Sequence, residues 1–212
     1  MIQNIPLEKV LFLDIETVPQ FGNWEDLNET DQYLWDKKTK FQRKEEFTAE
    51  EYYTERGGIM AEFGKIICIT VGIVEKNGKL KIKSFYGDDE KKLLEEFGEI
   101  FNSPKLRDVI LCAHNGKEFD FPWIARRFLI NGMQPPLPFQ MFGKKPWEIA
   151  HLDTMELWKF GDYKSFISLL GWALKSSVFL CKSITIPPTS IVIEHFRFYI
   201  KHHFLALLKA FF

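Results

Sequence analysis

Cysteine is scarce in this chain: Cys68, Cys112 and Cys181 are the only three in 212 residues, and no two form a Cys-x-x-Cys pair. A disulfide scaffold and a zinc ribbon are thereby excluded, and the usage suits a reducing cytoplasm. Long apolar runs are missing too. The longest uncharged stretch of the C-terminal part, Ser183–Ile193, contains Pro187-Pro188 and falls short of the about 20 apolar residues that span a bilayer. Met1-Ile2-Gln3-Asn4 carries no basic leader, and Val10–Leu13 is too short for a signal sequence, so the expected location is cytoplasmic, with no membrane partner. Aspartate vanishes after Asp162: residues 163–212 hold six bases and one acid, Glu194, against 22 bases and 28 acids before them. The overall net charge of −1 exerts no global pull on nucleic acid. What the chain has in quantity is apolar and aromatic side chains, 46% and 16%, enough for a sizeable core and against wholesale disorder.

The pattern predicts one α/β domain over 1–212. Val10–Ile15 is a continuous apolar run broken by Asp14, as in a strand buried on both faces. Residues 17–63 follow, with 11 acids and six bases, and read as an acidic helical and loop insertion. Ile66–Val74 is a second strand, and Asn77-Gly78 turns it into a third, Leu80–Tyr86. Asp88-Asp89 caps a helix whose apolar face is Leu93, Leu94, Phe97, Ile100 and Phe101. Asp108–Ala113 reads as a strand, Asp120–Ile130 as a helix stopped by Asn131-Gly132, and Ile149–Leu152 as a short strand opening a helix at Asp153. An antiparallel meander followed by β–α–β units makes a mixed sheet flanked by helices.

Asp14 and Glu16 are two apart on a strand, so both project from one face with Ile15 on the other. Carboxylates so close repel unless a cation lies between them or one is protonated. A second cluster, His114-Asn115-Gly116-Lys117-Glu118-Phe119-Asp120, also ends a predicted strand, where open α/β sheets place their sites. Taken singly, each cluster also fits a solvated strand end, a turn and a helix cap.

Asp14-Ile15-Glu16-Thr17 resembles the first motif of the four-carboxylate (DEDD) 3′–5′ exonucleases, and Asn115 through Phe119-Asp120 resembles the second. Glu62-Phe63-Gly64-Lys65-Ile66, the 114–120 cluster and His151-Leu152-Asp153-Thr154 are similar to a bacterial group of predicted exonucleases related to the proofreading domain of family B DNA polymerases. The resemblance covers roughly residues 8–170. It implies a ribonuclease-H-like three-layer fold and hydrolysis with two Mg²⁺ or Mn²⁺ ions. It further implies that Asp14 bridges both ions, Glu16 holds the ion that activates water, and Asp120 holds the ion at the leaving 3′ oxygen. Asn115, Phe119 and Thr17 would then meet the substrate.

The third motif of active members, Tyr-x-x-x-Asp or His with a similarly placed Asp, is not matched. Tyr199 has the spacing, but His203 stands where the aspartate would be, and histidine is a poor Mg²⁺ ligand. Asp153 is the other candidate substitute, although capping the next helix, with Glu156 three residues on, is the better reading. The charge jump and the missing motif suggest a frameshift or truncation after about Leu170, making 171–212 a divergent part.

Lys117, Arg126, Arg127, Lys144 and Lys145 are candidates for phosphate contact, with solvated surface charge as the default. Trp24, Tyr33 and Trp35 of the insertion could line a lid whose acidity repels duplex DNA. The expected function is a metal-dependent 3′–5′ exonuclease on single-stranded DNA 3′ ends. The alternatives are an exonuclease-fold protein that binds nucleic acid without cutting, and an RNase-H-like endonuclease.

Overall fold

A computed structural model describes residues 5–44 and 46–168; Tyr199, His203 and the rest of the divergent part lie outside the described residues. Five strands form one mixed sheet in the order β3-β2-β1-β4-β5. They are β1 (Val10–Pro19), β2 (Gly64–Val74), β3 (Leu80–Tyr86), β4 (Ile110–Ala113) and β5 (Leu152–Asp153). The helices are α1 (Glu29–Arg43), α2 (Ala49–Arg56), α3 (Glu90–Glu99), α4 (Asp120–Ile130) and α5 (Thr154–Lys159). No helix among the described residues is long and apolar enough to cross a membrane.

β1 is apolar throughout its first half because it lies at the centre of the sheet and is covered on both faces. Leu11, Leu13 and Ile15 point into the main core with Leu93, Leu94 and Phe97 of α3 and Phe121, Trp123, Ile124 and Phe128 of α4. Val10 and Phe12 point the other way, into a smaller cluster with Val74 and Cys112, against which Trp158 of α5 packs. The hairpin between β2 and β3 turns at Asn77-Gly78, where Gly78 takes φ 78° and the Glu75 amide donates to the Lys79 carbonyl at 2.8 Å. Asp89 caps α3 by accepting from the Lys92 amide at 3.1 Å.

β5 is shorter than the sequence predicts: it pairs with β4 only at Cys112↔Leu152 and Ala113↔Asp153. One residue earlier, the His151 ring has taken the place of a backbone carbonyl. Its Nδ1 accepts from the Leu111 amide at 3.1 Å, and its Nε2 donates to the Pro138 carbonyl at 2.7 Å. With one nitrogen accepting and the other donating, the ring is neutral, and burial holds its pKa below the usual value.

Arg127 is not a phosphate-binding surface residue. It is buried and forks onto Glu90 of α3: Nε reaches Oε1 at 2.9 Å and Nη2 reaches Oε2 at 2.5 Å. Its Nη1 donates to the Ala61 carbonyl at 2.9 Å. Glu90 also accepts from the Ile66 amide at 2.7 Å and from Asn131 Nδ2 at 3.0 Å. One carboxylate and one guanidinium thus tie α3, α4, β2 and the chain before β2 together, with every contact a hydrogen bond.

Residues between β1 and β2 build a separate apolar cluster from Leu27, Trp35, Tyr53 and Phe63. Trp35 meets Phe63 edge to face at 5.0 Å and Tyr53 at 5.2 Å, and its indole donates to the Ala49 carbonyl at 2.8 Å. Trp35 is therefore a core residue of this subassembly rather than part of an exposed surface.

Candidate functional site

The site begins where β1 outruns its neighbour. Its parallel pairing with β4 stops at Phe12↔Cys112, whereas its antiparallel pairing with β2 continues to Pro19↔Gly64. From Leu13 onward, one edge of a central strand has no ladder partner, and the N-terminus of α4 comes up beside it. Alternation puts Asp14 and Glu16 on the face opposite Ile15. A register shift follows at once: Glu16 pairs with Cys68 but Thr17 with Ile66, a bulge that bends the strand beside the carboxylates. Thr17 turns its hydroxyl to the Gly58 carbonyl at 2.6 Å, so its side chain is engaged in the fold.

Asp120 opens α4 and is only 3% exposed. The Ile15 backbone acts on its carboxyl and on that of Asp14, lowering both pKa values, so Asp120 lies close to β1. Burial pushes the Asp120 carboxyl up to about 7, against hydrogen bonds from its own backbone and from Ile15, and the charges of Asp153 and Glu16 push the same way. Asp14 is raised well above the usual carboxylate range, first by burial and then by Asp120 and Glu16. Burial raises Glu16 as well. None of the ion pairs among the described residues involves any of the three. The sheet and α4 have brought together three carboxyl groups that cannot all ionise cheaply.

Such a donor set suits a hard divalent cation, which takes oxygen ligands and cancels the mutual repulsion. Among the described residues no three His, Cys, Asp or Glu side chains form a ready-made cage around a point. Asp14, Glu16 and Asp120 offer such a cation negative charge and, among the described residues, have no ion-pair partner, but as placed they do not form a three-ligand site.

The loop that delivers Asp120 is held by Asp153. Its Oδ1 accepts from the amides of Asn115 and Met155, each at 2.9 Å, and its Oδ2 from the Lys117 amide at 3.1 Å. Asp153 is therefore both the cap of α5 and the anchor of the 115–117 turn. Glu156 does not complete a capping box; it pairs with Lys117 Nζ at 2.8 Å. Asn115 sits at φ 60°, a left-handed conformation that asparagine tolerates. Gly116 has no room for more: a Cβ there would lie 2.4 Å from Ala113 Cβ and 2.9 Å from Phe121 Cζ. His114 is fastened at both nitrogens, Nδ1 to the Thr154 hydroxyl at 2.8 Å and Nε2 to the Ile167 carbonyl at 2.9 Å. Since a carbonyl only accepts, Nε2 carries a proton; burial lowers the pKa of the ring.

Phe121 and Trp123 belong to the core, so of the three aromatics near Asp120 only Phe119 keeps an accessible flank, its ring 6.1 Å from that of Trp123. Sequence reasoning missed the anchoring by Asp153 and the Glu90–Arg127 pair. The signal for the second was present, because Glu90 is in helical phase with Leu93, Leu94 and Phe97, and Arg127 with Trp123 and Ile124. A concavity of about 900 Å³ lies at the opposite end of the sheet among Glu8, Lys9, Asn77 and Lys105, away from the carboxylates.

The model of the RNase_H superfamily matches residues 52–173, a span that includes Asp120 and Asp153 and begins after Glu16. Among solved structures, the family B DNA polymerase from the hyperthermophilic archaeon Pyrobaculum calidifontis is similar in fold, with a TM-score of 0.54 at 15% identity. The likeness covers 96% of this chain and 24% of that one, so the chain spans about a quarter of the polymerase's length. No curated protein matches the sequence.

Proposed function

Because this chain belongs to the RNase_H superfamily, we propose that it is a metal-dependent 3′–5′ exonuclease that hydrolyses phosphodiester bonds at single-stranded DNA 3′ ends. The observation that carries the reading is the convergence of Asp14 and Glu16, at the end of a central strand, with Asp120, each raised by burial. A protein that only binds nucleic acid has no evident use for a buried Asp120 beside the half-buried, repelling carboxylates of Asp14 and Glu16.

In this reading Asp14, Glu16 and Asp120 would hold two Mg²⁺ or Mn²⁺ ions, and these would supply Lewis-acid polarisation of the scissile phosphate and charge stabilisation of the attacking and leaving oxygens. The chain's own contribution is placement. Ile15 in the core fixes the strand that presents Asp14 and Glu16, and Asp153, through the 115–117 amides, fixes the entry of α4 and hence Asp120. Phe119, which is half-buried, stacks on the terminal base, and Asn115 keeps the turn in its left-handed conformation. Asp153 serves as an orienting residue. His203, the candidate replacement ligand, and Tyr199, at the position of the motif's water-orienting tyrosine, lie outside the described residues.

The test is digestion of a 5′-labelled single-stranded oligonucleotide with Mg²⁺ or Mn²⁺, beside Asp14→Ala and Asp120→Ala. A ladder shortening from the 3′ end, absent in both variants, is the expected result. Cutting of a circular single strand would replace the reading with an endonuclease. A folded protein that binds the oligonucleotide and leaves it intact would make the chain a binding module with an exonuclease fold.

A further inference from the structure

The segment between β1 and β2 is acidic in total but not in distribution. Five of its six bases, Lys37, Lys38, Lys40, Arg43 and Lys44, fall within eight consecutive residues of α1 and its C-cap. Two are neutralised: Lys38 pairs with Glu62 at 2.7 Å, and Arg43 pairs with Asp36. Lys37, Lys40 and Lys44 are exposed and take part in none of the ion pairs among the described residues.

Helical geometry gathers those three with two rings. Trp35 and Thr39 face inward. Tyr33, Lys37, Lys40, Phe41 and Lys44 follow at steps of four, three, one and three, which makes one outward stripe about 16 Å long. Along it Tyr33 is 62% exposed and Phe41 90%. Lys37 Nζ stands 5.9 Å from the centre of the Tyr33 ring.

Exposed rings interspersed with ammonium groups that form no ion pair among the described residues suit one class of partner. A single nucleic-acid strand offers phosphates to the cations and base faces to the rings, without regard to sequence. An acidic protein surface would engage the lysines but leave the rings unused. A lipid surface needs a contiguous apolar face, and here the two rings lie two helical turns apart with Lys37 and Lys40 between them.

The stripe also lies at the right end of the molecule. Trp35 of α1 packs on Phe63, the residue before β2. β2 begins opposite Pro19, three residues past Glu16. α1 is thus held beyond the same end of β1 that carries the carboxylates.

We propose that the outward face of α1 is a contact surface for single-stranded nucleic acid. Lys37, Lys40 and Lys44 pair with phosphates, and Tyr33 and Phe41 stack on bases upstream of the 3′ end held at Asp14, Glu16 and Asp120. The direction of the strand rests on the nuclease reading; the binding does not.

The experiment is fluorescence anisotropy of the full chain with a labelled single-stranded oligothymidylate in EDTA, where nothing is cut, over a salt series. Tyr33→Ala/Phe41→Ala is expected to weaken binding at least about tenfold with the salt slope unchanged. Lys37→Gln/Lys40→Gln/Lys44→Gln is expected to lower that slope by about 2. Thermal unfolding of both variants should match the parent, since all five side chains face solvent. Binding unchanged in both variants overturns the proposal, even if the parent digests DNA. Binding lost in both supports it even if the parent cuts nothing, an outcome that sinks only the nuclease reading. Polyglutamate competing as strongly as unlabelled oligonucleotide would overturn it in favour of an acidic protein partner.

Discussion

Replacing Arg127 by methionine removes a charge from the most connected point in the core while keeping most of the side-chain volume. The Glu90 carboxylate then keeps only two neutral donors, the Ile66 amide and Asn131, in a place that is 7% exposed. The Ala61 carbonyl loses its partner too. Leaving one member of a buried ion pair alone costs about 3–5 kcal/mol, a large part of the about 5–15 kcal/mol that holds a domain of this kind together. In a chain of this length the melting temperature should fall by roughly 6–20 °C. Adding Glu90→Gln to Arg127→Met should recover more than half of the loss, because a neutral amide oxygen still accepts from Ile66 and no bare charge remains. Arg127→Lys should fall between, since a single ammonium cannot reach both Glu90 and Ala61. Urea unfolding monitored by tryptophan fluorescence measures all four proteins. An Arg127→Met variant within about 1 kcal/mol of the parent, or a double variant no better than the single one, would refute the account of this pair as a buried, mutually dependent unit.

Three further expectations follow from the site. Asp120, held at about 7, binds its proton more tightly folded than unfolded, so without divalent metal stability falls as pH rises from about 4 to about 7. In EDTA at pH 8, Asp120→Asn should therefore be more stable than the parent, by at most about 4 kcal/mol, and nearly equal to it at pH 4; a less stable variant at pH 8 would contradict the burial argument. Asp153→Ala strands three backbone amides and should cost about 2–4 kcal/mol, with the Asn115 and Lys117 amides losing hydrogen-exchange protection before the rest of the sheet. Gly116→Ala places a methyl group 2.4 Å from Ala113 Cβ and should cost about 1–3 kcal/mol in urea unfolding, whereas no loss would mean that the 115–117 turn yields freely.

The sheet was legible because burial on both faces writes itself into β1 as an unbroken apolar run, and because Asn77-Gly78 admits few conformations besides a turn. The apolar face of α3 was legible for the same kind of reason, at the period of a helix. β5 was overestimated since an inward-turned imidazole, His151, did the work of a strand carbonyl, and sequence patterns do not show which way a histidine ring turns. The pair Arg126-Arg127 looked like one patch of surface charge, although a helix separates neighbours by 100° and sends only Arg126 to solvent. Charge totals misled in the same way over residues 17–63, where the acids and bases are segregated along the chain. Asp14, Glu16 and Asp120 could be named as chemistry-bearing residues from their types and positions. That Asp120 comes beside Ile15 of β1 depends on β4 ending early, a three-dimensional fact with no local signature.

That early end leaves the Ile15 N–H in an unusual position. It sits mid-strand, past the last residue that pairs with β4, and the Ile15 backbone lowers the pKa of both Asp14 and Asp120. Its ¹⁵N–¹H resonance should therefore move with the ionisation of that pair and with the arrival of any cation. The peak is a built-in spectroscopic gauge of the site, readable on the unmodified protein without substrate, turnover or an introduced label.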